Sequence, residues 1–168
     1  MEAELVIRDA NEADAEAVQA IYAHHVLNGT ASYDIEPPSV DHIRDKIRQI
    51  RGAGWPFVIG ELEGEVAGYA YATAYRARSA YRHSVEDSVY VAQGMHGHGI
   101  GKALLHEVIR RCTDSGFTQM VAVVGNSANM GSQRLHEKLG FDRVGVLRDV
   151  GFKFGQWVDT VLMQRALR

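Results

Sequence analysis

The 168-residue chain has a formal net charge of -3 at pH 7 and no long basic run, which argues against nucleic acid as a partner. No apolar segment approaches the roughly 20 residues of a membrane-spanning helix, and the first residues lack the basic start and apolar core of a signal peptide. This length predicts a single domain, residues 1–168. The one cysteine cannot form an internal disulfide, which predicts a reducing cytoplasm.

The first half of the chain is predicted to hold three strands, at residues 5–8, 55–62 and 65–75, with two helices between the first and second. Asn11 or Asp14 begins the first helix, which ends near Gly29. A short extended segment is expected at residues 30–35, and Ser39 can cap the second helix. The dipeptide Glu63-Gly64 then joins the second and third strands as a hairpin.

The second half begins with a strand at residues 83–91 that leads through a glycine loop into a helix. Further elements are a short helix at 133–139 and strands at 119–124, 141–147 and 156–164. The strand at 119–124 is expected to lie parallel to the strand at 83–91, through a right-handed crossover. This order predicts an α+β fold, a mixed central sheet with helices on both faces. Its two parallel strands are expected to splay and open a cleft.

Three alternating glycines, Gly97, Gly99 and Gly101, lie between that strand and its helix, which starts near Gly99. Glycine removes the Cβ atom and permits positive φ, and a helix start offers unpaired N–H groups to an anion. The loop is not a P-loop, because no Ser or Thr follows Lys102. Its place past mid-chain argues against a Rossmann fold. We interpret it as a phosphate-binding loop; a tight turn without a ligand is the alternative.

The element order and several motifs resemble the GNAT superfamily of acetyl-CoA-dependent N-acetyltransferases along essentially the whole chain. Within it, the sequence is most similar to the phosphinothricin and methionine sulfoximine acetyltransferase family. The segments that carry the resemblance are ATAYRARSAY (72–81), VEDSVYV (85–91), HGHGIG (96–101), MVAVV (120–124), LHEKLGF (135–141) and GFKFGQWVD (151–159). One departure is His96, which stands where the superfamily usually has Gln or Arg. The resemblance implies acetyl-CoA as the acetyl donor and a homodimer.

By this resemblance, the backbone of Val89, Tyr90 and Val91 lines the pantetheine arm of the cofactor. An arm that resembles a peptide can hydrogen-bond to a splayed strand edge. The residues expected at the pyrophosphate are Gly97, His98, Gly99, Ile100, Gly101 and Lys102. Asn129 and Ser132 are expected to contact the cofactor farther along. The backbone N–H of Val89 or Tyr90 can also stabilise the developing oxyanion.

Glu86 is the candidate general base. Strand alternation places Glu86, Ser88 and Tyr90 on one face and Asp87 on the other, so that two adjacent acids have different roles. In the family, the acid at this position takes the amine proton, directly or through water. Partial burial would raise the pKa of Glu86 and suit that role near neutral pH. The alternative is a solvated glutamate at a strand edge, and Asp87 is interpreted as structural.

His136 stands where many members of the superfamily have a tyrosine that protonates the departing thiolate. Histidine is also found there in the resembled family. We expect it at a helix surface, where it acts as the acid or only positions the cofactor sulfur; a merely structural histidine is the alternative.

The acceptor must present an anionic group beside its free amine. Arg76 and Arg78 lie two apart in an extended connection and could clamp an oxygen pair, or could be solvated. Tyr33 and Tyr81 could form the wall of the pocket and donate their hydroxyls, and the resemblance implicates Arg78, Tyr81 and residues 84–86. The predicted acceptor contacts are Tyr33, Arg76, Arg78, Tyr81, Ser84, Val85 and Glu86. Because the resembled enzymes are homodimers, Lys153, Trp157 and Asp159 are expected to reach the partner's pocket.

Two further residue types favour structural roles. The eight histidines include His24-His25, which point apart on a helix, and no metal site is predicted. Cys112 lies on the apolar face of the glycine-loop helix and is interpreted as core packing.

The predicted activity is transfer of acetyl from acetyl-CoA to a small amino-acid-like amine by direct attack in a ternary complex. The alternatives are acetylation of a protein N-terminus or another amine, and a non-catalytic CoA-binding module.

Overall fold

The computed structural model describes residues 3–168, and in them the fold comprises seven strands and four helices. The strands are β1 (Leu5–Asp9), β2 (Phe57–Leu62), β3 (Glu65–Ala74), β4 (Ser84–Val91), β5 (Gln119–Gly125), β6 (Asp142–Lys153) and β7 (Gln156–Ala166). The helices are α1 (Ala15–Asn28), α2 (Val40–Gly52), α3 (Ile100–Asp114) and α4 (Met130–Lys138). Short 3-10 turns at Glu12–Asp14 and Ser79–Tyr81 precede α1 and β4.

Within the described residues 3–168 the strands form one sheet in the order β1-β2-β3-β4-β5-β7-β6, and only the neighbours β4 and β5 are parallel. Their pairing is short and ends at Glu86, which lies opposite Val121. Beyond it, β4 stays paired with β3 as far as Val91, and β5 stays paired with β7 as far as Gly125. The two parallel strands therefore separate and leave a fork in the sheet. The predicted α+β fold with a splayed parallel pair is confirmed.

Hydrophobic cores cover both faces of the sheet, as predicted. On one face, α3 buries residues such as Leu104 and Leu105 against the strands. On the other, α1 and α2 pack residues such as Ile47 against Phe57. Cys112 lies in the α3 core with no exposed surface, and burial raises the pKa of its thiol to about 12. This burial supports the packing role expected for it.

The largest differences from the sequence-based predictions concern α4, residues 30–35 and β6. Helix α4 begins three residues early, because the Asn129 side chain accepts a hydrogen bond from the Ser132 N–H (3.3 Å) and caps the helix there. Residues 30–35 bend and form no strand. Strand β6 continues to Lys153 through a register shift after Leu147, where Asp149 has a positive φ of 53°. None of the helices in residues 3–168 is long and apolar enough to cross a membrane.

Asp14 stabilises the start of α1 through a network of hydrogen bonds. Its side chain, only 8% exposed, accepts two hydrogen bonds from the Arg8 guanidinium (2.8 and 2.7 Å) and one from the Asn11 N–H (2.9 Å). Burial would raise the pKa of Asp14, but these donors outweigh it and lower the pKa below its usual value. Because the pKa of Asp14 is lower in the folded protein than in the unfolded one, the network stabilises the fold fully at pH values above the pKa of the unfolded state. This stabilisation is lost as the pH falls through the pKa of the folded state.

We expect Asp14→Asn to lower the free energy of unfolding by about 1–3 kcal/mol at pH 7. Urea denaturation at pH 7 and near pH 3 measures the effect, and the gap between variant and wild type should narrow at the lower pH. Asp45→Asn is the matched control, because Asp45 is 59% exposed in a surface pair with Arg48. It should change the stability by less than about 0.5 kcal/mol. Equal losses in the two variants would contradict a special role for Asp14.

Candidate active site

A cleft of about 1050 Å³ opens at the fork between β4 and β5. On one face of the sheet it is lined by Tyr22 and His25 of α1, and on the other by Leu135 and His136 of α4. The cleft therefore reaches through the sheet from one face to the other.

The glycine loop forms one wall of this cleft. Gly97 and Gly99 adopt φ values of 85° and 73°, a left-handed conformation that favours glycine. Gly101 allows close packing, since a Cβ there would lie 3.3 Å from Leu135. Helix α3 begins directly after Gly99 without a side-chain cap or an acidic residue in its first turn, which leaves N–H groups for an anion. This geometry fits the diphosphate group of a CoA cofactor.

Most of the predicted cofactor residues line the same cleft. They are Val89, Tyr90, Val91, Gly97, Gly99, Ile100, Gly101, Lys102, Asn129 and Ser132. The predicted His98 is exposed and does not line it, whereas His96 does. Beyond Glu86, the edge of β4 that faces β5 has no strand partner, so main-chain groups there can meet a ligand. The Val91 carbonyl oxygen is the exception, because it lies 2.9 Å from His25 Nε2.

Glu86 lies at the point where the two strands part. Tyr90, on the same face of β4 as Glu86, packs against Tyr22 of α1. Val85 and Asp87 lie on the opposite face and are buried. The predicted alternation of side chains between the two faces of β4 is confirmed. Glu86 lines the cleft and is half-buried. Burial, and to a smaller extent the neighbouring Asp87, raise the pKa of Glu86, while the charge of Arg76 opposes the shift. A base with a raised pKa is suited to accept a proton near neutral pH.

His136 is buried, not at a helix surface as predicted. It is 4% exposed, because its ring packs edge-on against Phe141 at a centroid distance of 4.8 Å. Its Nδ1 lies 2.7 Å from the Ser132 carbonyl oxygen, and its Nε2 lies 2.8 Å from Asp87 Oδ2. Burial disfavours the charged ring, but Asp87 and the Ser132 carbonyl outweigh it and raise the pKa of His136. Asp87 thus joins the site as the partner of His136.

The predicted acceptor residues divide into two groups. Tyr33 and Glu86 line the cleft, and the Tyr33 hydroxyl donates a hydrogen bond to the Asp159 carbonyl oxygen (2.6 Å). The others lie outside the cleft lining: exposed Arg76, Arg78 and Tyr81, half-buried Ser84, and Val85. Val85 requires a correction, because its side chain has no exposed surface and belongs to the α3 core. Only its backbone could meet an acceptor.

Two residues expected in a partner's pocket are engaged within their own chain. Lys153 is buried, and its ammonium donates a hydrogen bond to the Ser32 carbonyl oxygen at 2.7 Å. Asp159 accepts hydrogen bonds from the Asp149 N–H (2.9 Å) and the Ser127 hydroxyl (3.1 Å). Trp157 alone is exposed, by 66%.

Apart from Tyr33, the sequence-based reasoning missed the part of the wall that comes from α1 and the segment after it. Tyr22, Ser32 and Asp34 line the cleft, and the Tyr22 hydroxyl is hydrogen-bonded to both Ser32 and Asp34. Gly125 completes this wall, where a Cβ would lie 2.4 Å from the Thr30 carbonyl oxygen. A glycine that ends an apolar strand was the available signal for this close approach. In residues 3–168, no three His, Cys, Asp or Glu side chains are placed together to hold a metal.

The forked sheet and the glycine loop at the start of α3 are the features on which the predicted superfamily rests. The profile of the Acetyltransferase (GNAT) family matches residues 18–141, and the chain belongs to this family. Membership confirms the predicted superfamily and the prediction of an acyltransferase that takes acetyl from acetyl-CoA.

Individual relatives are similar over nearly the whole chain. The phosphinothricin N-acetyltransferase of Alcaligenes faecalis is 48% identical over 96% of this chain and 82% of the relative. The L-methionine sulfoximine/L-methionine sulfone acetyltransferase of Salmonella typhimurium is 36% identical over 97% of this chain and 95% of the relative. The crystal structure of a phosphinothricin acetyltransferase from Sinorhizobium meliloti in complex with AcCoA superposes with a TM-score of 0.94. The two sequences are 48% identical, and the superposed part covers 99% of this chain and 89% of the Sinorhizobium meliloti chain.

Proposed function

We propose that this N-acetyltransferase acetylates the α-amine of a small amino-acid-like acceptor. Phosphinothricin, methionine sulfoximine and methionine sulfone are the leading candidates, and they are the substrates named for two relatives. The observation that supports this most is the cleft through the sheet, with Glu86 at the fork. A donor held on the α3 face and an acceptor entering from the α1 face would meet there, which favours direct attack in a ternary complex.

The donor side of the cleft is proposed to hold acetyl-CoA. The unpaired edge formed by Val89, Tyr90 and Val91 would hydrogen-bond the pantetheine arm, and the loop from Gly97 to Lys102 would bind the diphosphate. Asn129 and Ser132, at the start of α4, would contact the cofactor beside the fork. The cofactor supplies an activated acetyl thioester, and the residues of the fork orient it and exclude water.

On the acceptor side, we propose that Glu86 removes the amine proton, directly or through one water. Its half-buried position and raised pKa support this role. Arg76 and Arg78 would bind the anionic group of the acceptor from the rim, with Tyr81 and Ser84 beside them, while Tyr33 forms the wall. The influence of Arg76 on the pKa of Glu86 supports a position close to the base. Cationic residues at the rim also disfavour polyamines, which would be repelled.

Thiol release with a panel of acceptors tests the proposal. Phosphinothricin, methionine sulfoximine, methionine sulfone, a peptide with a free N-terminus and a polyamine are each supplied with acetyl-CoA. We expect the highest kcat/KM with one of the three amino-acid analogues. Preference for the peptide would replace the acceptor class, and CoA binding without turnover on any amine would favour a non-catalytic module.

We further propose that the enzyme works as a cytoplasmic homodimer of single-domain chains. The apolar side chains exposed by β6, β7 and the turn between them are Val144, Leu147, Val150, Phe152, Phe154 and Trp157. Phe152 and Trp157 pack against each other with ring centroids 4.8 Å apart. Large exposed apolar patches on soluble proteins mark protein interfaces, and the free Cys112 thiol suits a reducing compartment.

We expect Trp157→Glu to weaken the dimer at least tenfold, because a charge in an apolar interface is left without a partner. Sedimentation velocity over a range of protein concentrations measures the dissociation constant. Val6→Glu is the matched control, since Val6 is an exposed apolar residue on β1, at the opposite edge of the sheet. Equal effects of the two substitutions, or none from Trp157→Glu, would contradict an interface on β6 and β7.

A further inference from the structure

Asp87 is the first residue of β4 beyond its pairing with β5. The last paired residue is Glu86, and from Asp87 onward the two strands diverge. The Asp87 side chain leaves the opposite face from Glu86 and meets His136, which α4 places beside the fork. In residues 3–168, no other side-chain hydrogen bond joins β4 to α4.

The hydrogen bonds of His136 determine how many protons the pair formed by His136 and Asp87 carries. The Ser132 carbonyl oxygen can only accept, so Nδ1 must carry a proton. The contact between Nε2 and Asp87 Oδ2 then holds one further proton, whichever of the two atoms carries it. The pair is therefore neutral as a whole, and both ring nitrogens are occupied. A proton could reach a departing thiolate only if one of these two hydrogen bonds broke.

The His136–Asp87 pair borders the cleft at the fork but is almost excluded from solvent. The side chains of His136 and Asp87 are 5% and 1% exposed, and Asp87 Oδ1 is buried without a hydrogen-bond partner. The other titratable groups that respond to Asp87 are Glu86 and Tyr90 on β4 and Cys112 on α3. Strand β5 carries no charged residue. A buried carboxylate in such a place is costly unless its partner stays in position.

We propose that Asp87 is a positioning residue that acts through His136 and sets the affinity for the cofactor. The pair bridges β4 to α4 across the mouth of the fork and keeps Asn129 and Ser132, at the start of α4, beside the cofactor groove. This inference rests on the proposed cofactor site, and it assigns His136 to positioning rather than to proton donation. Loss of the bridge would let α4 move away from the edge of β4.

Binding of CoA alone, measured by isothermal titration calorimetry, tests the bridge without any acceptor. Asp87→Ala and His136→Ala should each weaken CoA binding about tenfold, the usual effect of losing one buried hydrogen bond. The double variant should bind no more weakly than either single one. Glu137→Ala is the matched control, because Glu137 adjoins His136 but is exposed. Thermal unfolding of each variant verifies that it is folded.

Asp87→Asn separates positioning from proton donation. An Asn side chain can donate an N–H to an unprotonated Nε2, so the bridge survives while its carboxylate is lost. We expect CoA affinity within about twofold of wild type and, with an active acceptor, an unchanged basic limb of the kcat–pH profile. A large fall in kcat with normal CoA affinity would overturn the proposal in favour of a proton donor.

Two other results would also decide the matter. If Asp87→Ala binds CoA as tightly as wild type does, the bridge has no bearing on the cofactor and the inference alone fails. If the wild-type protein itself binds no CoA, the proposed function fails and the inference falls with it.

Discussion

Glu86→Gln should lower kcat by about 10²–10⁴-fold while CoA binding stays within about twofold of wild type. The glutamine keeps the size of the side chain but cannot accept the amine proton, so attack on the thioester must proceed without a positioned base. Because Glu86 lies on the face of β4 opposite Asp87, the substitution leaves the donor side of the cleft intact.

The pH dependence gives this prediction a second readout. Burial raises the pKa of Glu86, so the wild-type kcat/KM should fall as the pH drops through that raised pKa, where the base becomes protonated. Glu86→Gln should lack this acidic limb. Steady-state rates with the best acceptor between pH 5 and pH 9 provide the measurement, with Glu65→Gln, an exposed glutamate that begins β3, as control. Near-normal turnover of Glu86→Gln at all pH values would remove Glu86 from the mechanism.

The donor half of the site could be predicted because its signals are contiguous. Strand β4, the loop with Gly97 and Gly99, and helix α3 follow one another, so one stretch of sequence contains both the edge for the pantetheine arm and the loop for the diphosphate. Hydrophobic periodicity also located the strands of the sheet, and it failed mainly at ends. The start of α4 was missed because a single capping side chain, Asn129, decides it.

The acceptor half, and the bridge between Asp87 and His136 on the donor side, could not be predicted because both depend on contacts between distant segments. The bond between His136 and Asp87 joins residues 49 positions apart, and that between Lys153 and Ser32 joins residues 121 apart. No feature of the neighbouring sequence distinguishes a histidine that hydrogen-bonds to a buried carboxylate from one that lies at a helix surface. The aromatic and acidic wall contributed by Tyr22 and Asp34 likewise exists only because α1 packs across the fork.

Gly125 is the position where this acceptor wall is most sensitive to substitution. It ends β5, and a Cβ there would lie 2.4 Å from the Thr30 carbonyl oxygen and 3.1 Å from a ring carbon of Tyr33. The first of these is a backbone atom, which cannot rotate aside. The Tyr33 hydroxyl is in turn held by the Asp159 carbonyl oxygen and by the Thr160 hydroxyl. An added methyl group must therefore push the whole segment around Tyr33 away from the cleft.

Gly125→Ala should accordingly lower the free energy of unfolding by about 1–3 kcal/mol and raise the acceptor KM at least tenfold. CoA affinity should change little, because the displaced wall lies on the acceptor side. Urea denaturation and steady-state kinetics measure the two effects. Gly52→Ala at the end of α2 is the control, since an added Cβ there would meet no atom within 4 Å. If both alanine variants behave like wild type, residues 30–33 can move aside without a measurable loss of stability, and the contact between Gly125 and Thr30 does not shape the acceptor pocket.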